Sequence, residues 1–147
     1  MAVLGGEVSA RTSEPADQES APACLGRLTI PGQARAVARA RAYVASALGA
    51  HHPCTDVAVL LTSELATNAV LHSRSRREGG TVTIVVSELS GEVRVEVSDD
   101  GSTRTPVVKD EVYTSEGHGL FLVEQLADQW GYLRDCGRTT VWFCLGC

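Results

Sequence analysis

Apolar residues recur with two different periods along this chain, and the switches between them mark its elements. Residues 33–50 are alanine-rich, and Val37, Ala38, Tyr43, Val44 and Leu48 fall on one side of a helix with Arg35, Arg39 and Arg41 largely outside. Gly49 marks its end, with His51, His52 and Pro53 beyond. A second helix is predicted from Thr55, a good N-cap, with Asp56 in the first turn and Val57, Leu60, Leu61, Leu65, Ala69 and Val70 as core positions. The period then changes to two. Residues 81–88 are β-branched, and in residues 92–98 Val93, Val95 and Val97 alternate with Glu92, Arg94 and Glu96. Ser90-Gly91 joins these strands as a hairpin. A third helix is predicted over residues 120–130, carrying Leu120, Val123, Leu126 and Ala127 on one side. Strands at 132–134 and 139–145 follow, turned by Asp135-Cys136-Gly137, and residues 24–30 read as a short edge strand ended by Pro31-Gly32.

The order strand, helix, helix, hairpin, long connection, helix, hairpin predicts an α+β fold. Its form is a two-layer α/β sandwich, with a mixed but mostly antiparallel sheet and helices on one face. Residues 1–23 are rich in Ser, Glu, Ala, Gly and Pro without periodicity and read as a disordered tail, leaving one domain over 24–147. Residues 99–116 form a long connection, and connections of that length in small domains are often functional.

Composition narrows the function classes. The 147 residues suit one ordinary hydrophobic core. A formal charge of −5 argues against a nucleic-acid surface, which needs clustered Lys and Arg. The local cluster Arg74, Arg76 and Arg77 is either solvated or a steering patch for an anionic ligand or acidic partner. No apolar run approaches the roughly 20 residues of a membrane span, and no signal peptide is visible, so a cytoplasmic location is expected. Cys24, Cys54, Cys136, Cys144 and Cys147 lack repeated metal spacing; Cys144 and Cys147 form a Cys-x-x-Cys with no second pair or histidine nearby in sequence. Reduced thiols and no zinc site are the expectation.

Three short segments carry candidate chemistry. Glu64, Asn68 and His72 recur every fourth residue and so share one face of the second helix. Taken singly, that stripe reads equally well as a face turned to water. The hairpin's second strand ends Ser98-Asp99-Asp100-Gly101, where an acid followed by glycine can accept a ligand hydrogen bond while the chain turns; Asp-Gly is also a common turn. Glu116-Gly117-His118-Gly119-Leu120 enters the third helix. Glycines there let backbone amides approach an anion beside the positive end of the helix dipole, or serve only as a hinge.

The ordered set is more specific than its parts. Glu-x-x-x-Asn on a helix, a strand ending Asp-x-Gly, a long loop, then Gly-x-Gly-Leu entering a helix resembles the GHKL (Bergerat-fold) ATP-binding superfamily. Within it, the chain looks most like the small anti-sigma-factor serine/threonine kinases and their single-domain actinobacterial relatives, including at the last strand, Gly137-Arg138-Thr139-Thr140-Val141-Trp142-Phe143. The resemblance implies ATP and Mg²⁺ as cofactors. It makes Asn68 the Mg²⁺ ligand, through a hard oxygen donor, and Glu64 the general base. It implies that Asp99 accepts a hydrogen bond from the adenine amino group, with Gly101 letting the base sit against the backbone and Thr140 supporting it from the last strand. Gly117, His118 and Gly119, at the helix entered by Leu120, would bring amides to the phosphates beneath a lid formed by residues 100–116.

Two positions depart from the family pattern. Thr103 replaces the second glycine of Asp-x-Gly-x-Gly and cannot easily take a positive φ. His118 stands where several relatives carry Arg or Lys, and His72 matches a position often histidine in the small kinases, where capping or packing is its expected role. The function implied is that of a protein kinase that binds a sigma factor and phosphorylates a serine on an anti-anti-sigma (STAS-type) protein. The family's small kinases commonly pair as homodimers. The alternatives are a degenerate regulatory module that merely sequesters a partner, and a structural domain without a ligand.

Overall fold

Alternating valines build the centre of the sheet. Val93, Val95 and Val97 of β3 (Glu92–Asp99) are buried, as are Val82, Ile84 and Val86 of β2 (Thr81–Leu89). Because side chains alternate across a strand, these two rows face the same layer of helices. The computed structural model describes residues 23–101 and 118–147, with the backbone alone for His118 and Gly119. The expected tail over residues 1–22, and the long connection from residue 102 to Gly117, lie outside the described residues.

In chain order the elements are β1 (Ala23–Pro31), α1 (Val37–Leu48), α2 (Thr55–His72), β2, β3, α3 (His118–Leu126), β4 (Gln129–Asp135) and β5 (Arg138–Gly146). The strands form one sheet in the order β1-β2-β3-β5-β4. Every neighbouring pair is antiparallel, so the sheet is wholly antiparallel rather than mixed. With the helices on one face, this is the expected α+β two-layer sandwich. Both hairpins close on paired positive φ angles, 50° and 79° at Ser90-Gly91 and 53° and 80° at Cys136-Gly137, which matches the right-handed twist of the flanking strands.

The core lies between helices and sheet. Ile30, Val44, Leu61, Ile84, Val95, Val123 and Phe143 are fully buried there, and each such side chain contributes about 1.5–3 kcal/mol of transfer free energy. The edge strand β1 begins at Ala23, inside the expected tail. Residues 34–36 form a short 3-10 turn ahead of α1, and Ala40 is buried in α1 where Ala38 was expected.

Three further expectations are corrected. Thr55 is not a cap but the first helical residue of α2, and its Oγ1 donates to the Gly49 carbonyl at 2.7 Å. Leu60 of α2 and Leu126 at the end of α3, both expected in the core, are 41% and 43% exposed, on sides of their helices that the sheet does not cover. The third helix stops at Leu126, and Trp130 is a buried strand residue paired with Phe143. Asp128 ends the helical path. Its N–H donates to the Cys144 carbonyl and its carboxylate accepts from the Gly146 N–H, which turns the chain into β4. Helical periodicity carried past Leu126 could not register that pairing.

Candidate functional site

The polar stripe of α2 is set by what the opposite side buries. Ala58, Leu61, Thr62, Leu65, Ala66, Ala69 and Val70 pack inward, so Glu64, Asn68 and His72 come to the surface half-buried. Four residues advance a helix by about 6 Å, which separates the carboxylate of Glu64 from the carboxamide of Asn68 by one turn. Every protein hydrogen bond of the described side chains leaves these two without a partner. A carboxylate and a carboxamide held so are free to take a ligand or a cation, and both offer hard oxygen donors of the kind Mg²⁺ accepts.

The second component is the end of β3. Asp99 continues the inward row of Val93, Val95 and Val97, so its carboxylate emerges on the helix side of the sheet. Burial pushes its pKa up from 3.8 to about 6, against the lowering pull of the Gly101 N–H and Arg138; Asp100 adds to the rise and Arg134 opposes it. Gly101 donates that N–H to Asp99 Oδ1 at 2.7 Å, which fixes one carboxylate oxygen. Gly101 itself has φ 88°, and a Cβ there would lie 1.9 Å from the Gly137 carbonyl oxygen. Its glycine is thus required by the close approach of the β4–β5 turn as well as by conformation.

A serine-centred knot holds these parts in register, and sequence reasoning missed it. Ser73 Oγ donates to the Ala69 carbonyl at 2.6 Å and accepts from the Ser75 N–H at 2.9 Å, which closes the end of α2. The fully buried Ser75 donates its hydroxyl to the Thr81 carbonyl and accepts from the Asp100 N–H. Asp100 in turn accepts from the Thr81 N–H and pairs with Arg138 at 2.8 Å. The Arg74 N–H donates to the Gly101 carbonyl at 2.8 Å. Gly32 and Gly80 leave room for this arrangement, since a Cβ on either would fall 1.7 or 2.1 Å from the Ser75 carbonyl oxygen. The sequence reads Arg74, Arg76 and Arg77 only as a basic cluster, solvated or steering. The only sequence signal for the knot was two serines, Ser73 and Ser75, with glycines in the segments that pack on them.

Register sets the two adjacent threonines of β5 on opposite faces. Ser98 stands opposite Thr140 and Asp99 opposite Thr139. Thr140 therefore lies on the far face of the sheet, where its hydroxyl shares a 2.7 Å hydrogen bond with Ser98, and Thr139 is the buried threonine on the side of Asp99. Two adjacent threonines cannot be separated without knowing the pleat. Leu120 is buried in the core and anchors the start of α3. α3 starts at His118, and α2 packs beside it. Gly117 lies outside the described residues, as do the side chain of His118 and the position of Thr103.

The cysteine expectation is also corrected. Cys54 and Cys147 form a disulfide across a sequence separation of 93, with Cα atoms 5.9 Å apart, while Cys24, Cys136 and Cys144 are free. Sequence spacing paired Cys147 with Cys144; the fold brings it instead to the start of α2. Among the described residues, no helix is long and apolar enough to cross a membrane.

A two-layer sandwich with an acid at the end of a central strand, beside a helix bearing Glu and Asn one turn apart, defines a nucleotide-binding domain of the histidine-kinase type. The family model described as the histidine kinase-like ATPase domain matches residues 30–145, and the chain belongs to that family. No curated protein matches the chain.

Proposed function

We propose that this protein is an Mg-ATP-dependent serine/threonine kinase of the anti-sigma type, acting in the cytoplasm on an anti-anti-sigma (STAS-type) partner and binding a sigma factor. The observation that supports it best is the pairing of Glu64 with Asn68. Both lack a protein partner among the described residues, and the turn that follows their helix is bonded through the Arg74 N–H to the loop after Asp99. In this reading Asp99 accepts from the adenine amino group, its desolvated carboxylate gaining a donor that burial denied it. Thr139 stands beside it on the same face, in place of Thr140.

Mg²⁺ fits the donor set, and Asn68 Oδ1 would hold it; bound there, the cation supplies charge neutralisation at the phosphates. Glu64 would take the proton from the attacking seryl hydroxyl as the γ-phosphoryl group passes to that oxygen and ADP leaves. Positioning and charge neutralisation dominate such transfers, so a site of one base, one oxygen donor and backbone amides is sufficient.

Thr103 and His118 favour a second reading, a module that binds nucleotide and sequesters its partner without transfer. Incubating the purified chain with γ-labelled ATP, Mg²⁺ and STAS-domain proteins decides between them. Label on a partner serine, lost in Glu64→Gln, supports the kinase. ATP binding without label supports the module.

A further inference from the structure

At the opposite end of α2 from the stripe's last residue, the disulfide sits against a histidine. A ring nitrogen of His52 and the sulfurs of Cys54 and Cys147 all lie within 4.8 Å of one another. The Cys54 N–H donates to His52 Nδ1 at 3.1 Å, so Nδ1 presents its lone pair toward the cysteines and the ring proton is on Nε2. Nε2 meets Glu88 Oε2 at 2.9 Å. This is the arrangement in which a carboxylate fixes the tautomer and orientation of a metal-ligating imidazole. The backbone is pinned on both sides of the cluster. His52 N–H donates to the Gly49 carbonyl, Thr55 N–H to the His52 carbonyl, and Cys147 N–H to the Gly91 carbonyl. Cys54 is buried and Cys147 exposed, which leaves one side open to solvent.

We propose that the Cys54–Cys147 disulfide is the oxidised state of a zinc site. On reduction, Cys54 Sγ, Cys147 Sγ and His52 Nδ1 bind Zn²⁺, with water as the fourth ligand and Glu88 as the positioning residue behind the imidazole. Tetrahedral Zn²⁺ with two thiolates and an imidazole needs ligand atoms roughly 3.5–3.8 Å apart. The sulfurs must therefore part once the S–S bond is gone, and the ring must close in by about an ångström, giving up its bond to the Cys54 N–H. Two thiols of a cellular dithiol supply the two electrons and two protons that cleave the disulfide, and they become a disulfide themselves. The two cysteine thiols then release their protons as Zn²⁺ binds. A two-electron oxidant reverses the sequence, re-forming the S–S bond and expelling the cation. The proposal does not depend on the kinase reading, because none of its residues lies in the nucleotide site.

The test uses the full chain carrying Cys24→Ser and Cys136→Ser, reduced with a phosphine that is then removed without air, and titrated with Co²⁺ and then Zn²⁺. The expected result is one Co²⁺ per chain, with a thiolate-to-cobalt charge-transfer band and the visible bands of a tetrahedral site, displaced by Zn²⁺. The oxidised chain binds none. Cys147→Ser and His52→Ala lose the complex, and Glu88→Gln weakens it about 10–100-fold. Cys54→Ser, at a buried position, is scored only if its far-ultraviolet circular dichroism matches wild type; Cys147→Ser, at an exposed position past β5, carries the test otherwise. Absence of the charge-transfer band from the reduced chain overturns the proposal. So does a complex that survives His52→Ala but is lost in Cys144→Ala, which would place the cation on the Cys-x-x-Cys pair.

Discussion

Thr139 stands opposite Asp99 in the antiparallel register of β3 and β5, and its neighbour Thr140 stands opposite Ser98 on the other face. The two threonines therefore separate in experiment. Thr139→Val is expected to weaken ATP binding, because it removes a hydroxyl beside Asp99, the proposed adenine acceptor. Thr140→Val is expected to leave ATP affinity unchanged and to lower stability by about 1 kcal/mol through loss of the Ser98 hydrogen bond. Calorimetric titration with ATP, paired with thermal melts of both variants, reads the difference. Equal ATP affinities for wild type and Thr139→Val would falsify the placement of Thr139 at the base.

Asp99→Asn should act in opposite directions on binding and on folding. Replacing the acceptor removes a charge-assisted hydrogen bond of roughly 1.5–3 kcal/mol, about tenfold or more in ATP affinity. Burial raises the carboxyl pKa from 3.8 to about 6 in the folded chain. The folded state keeps a proton that the unfolded chain has released, so the stability associated with this group is complete below 3.8 and lost as pH rises through about 6. Denaturant melts of the unliganded variant should thus show a gain over wild type at neutral pH that vanishes in acid. ATP affinity of the wild type should fall as pH drops below about 6, where the acid loses its charge.

Glu64 and Asn68 should divide chemistry from binding. Glu64→Gln is expected to keep ATP bound while lowering transfer by about 10²–10⁴-fold, the usual worth of a positioned base. Asn68→Ala should lose the Mg²⁺-dependent part of ATP affinity and retain whatever binding persists in a chelator. A Glu64→Gln protein that labels its partner at the wild-type rate would remove Glu64 from that role.

Ser75 is a structural residue whose loss should be felt at the site. Ser75→Ala strands the Thr81 carbonyl and the Asp100 N–H and is expected to cost about 1–3 kcal/mol. Gly32→Ala should be worse, since the new methyl would fall 1.7 Å from the Ser75 backbone oxygen and backbone cannot easily yield. Chemical denaturation measures both. The same variants should loosen ATP binding through Asp99, which the knot holds in place, although neither residue meets the ligand.

Local pattern was enough for most of the elements. Period-two valines specified β2 and β3, glycine-bearing dipeptides specified both hairpin turns, and the four-residue spacing of Glu64, Asn68 and His72 placed them on one helical face, because these signals act between residues close in the chain. Whatever depended on partners distant in sequence had to come from tertiary structure. The end of α3 at Leu126 was decided by Asp128 reaching β5. The choice of Thr139 over Thr140 was decided by register against β3. The meeting of Cys54 with Cys147, 93 residues away, was decided by the return of β5 to the start of α2. A side chain's face and neighbours follow from pairing and pleat, which a single strand's residues do not carry. The chemistry this chain can attempt was therefore written locally, and the geometry that brings it together belongs to the fold.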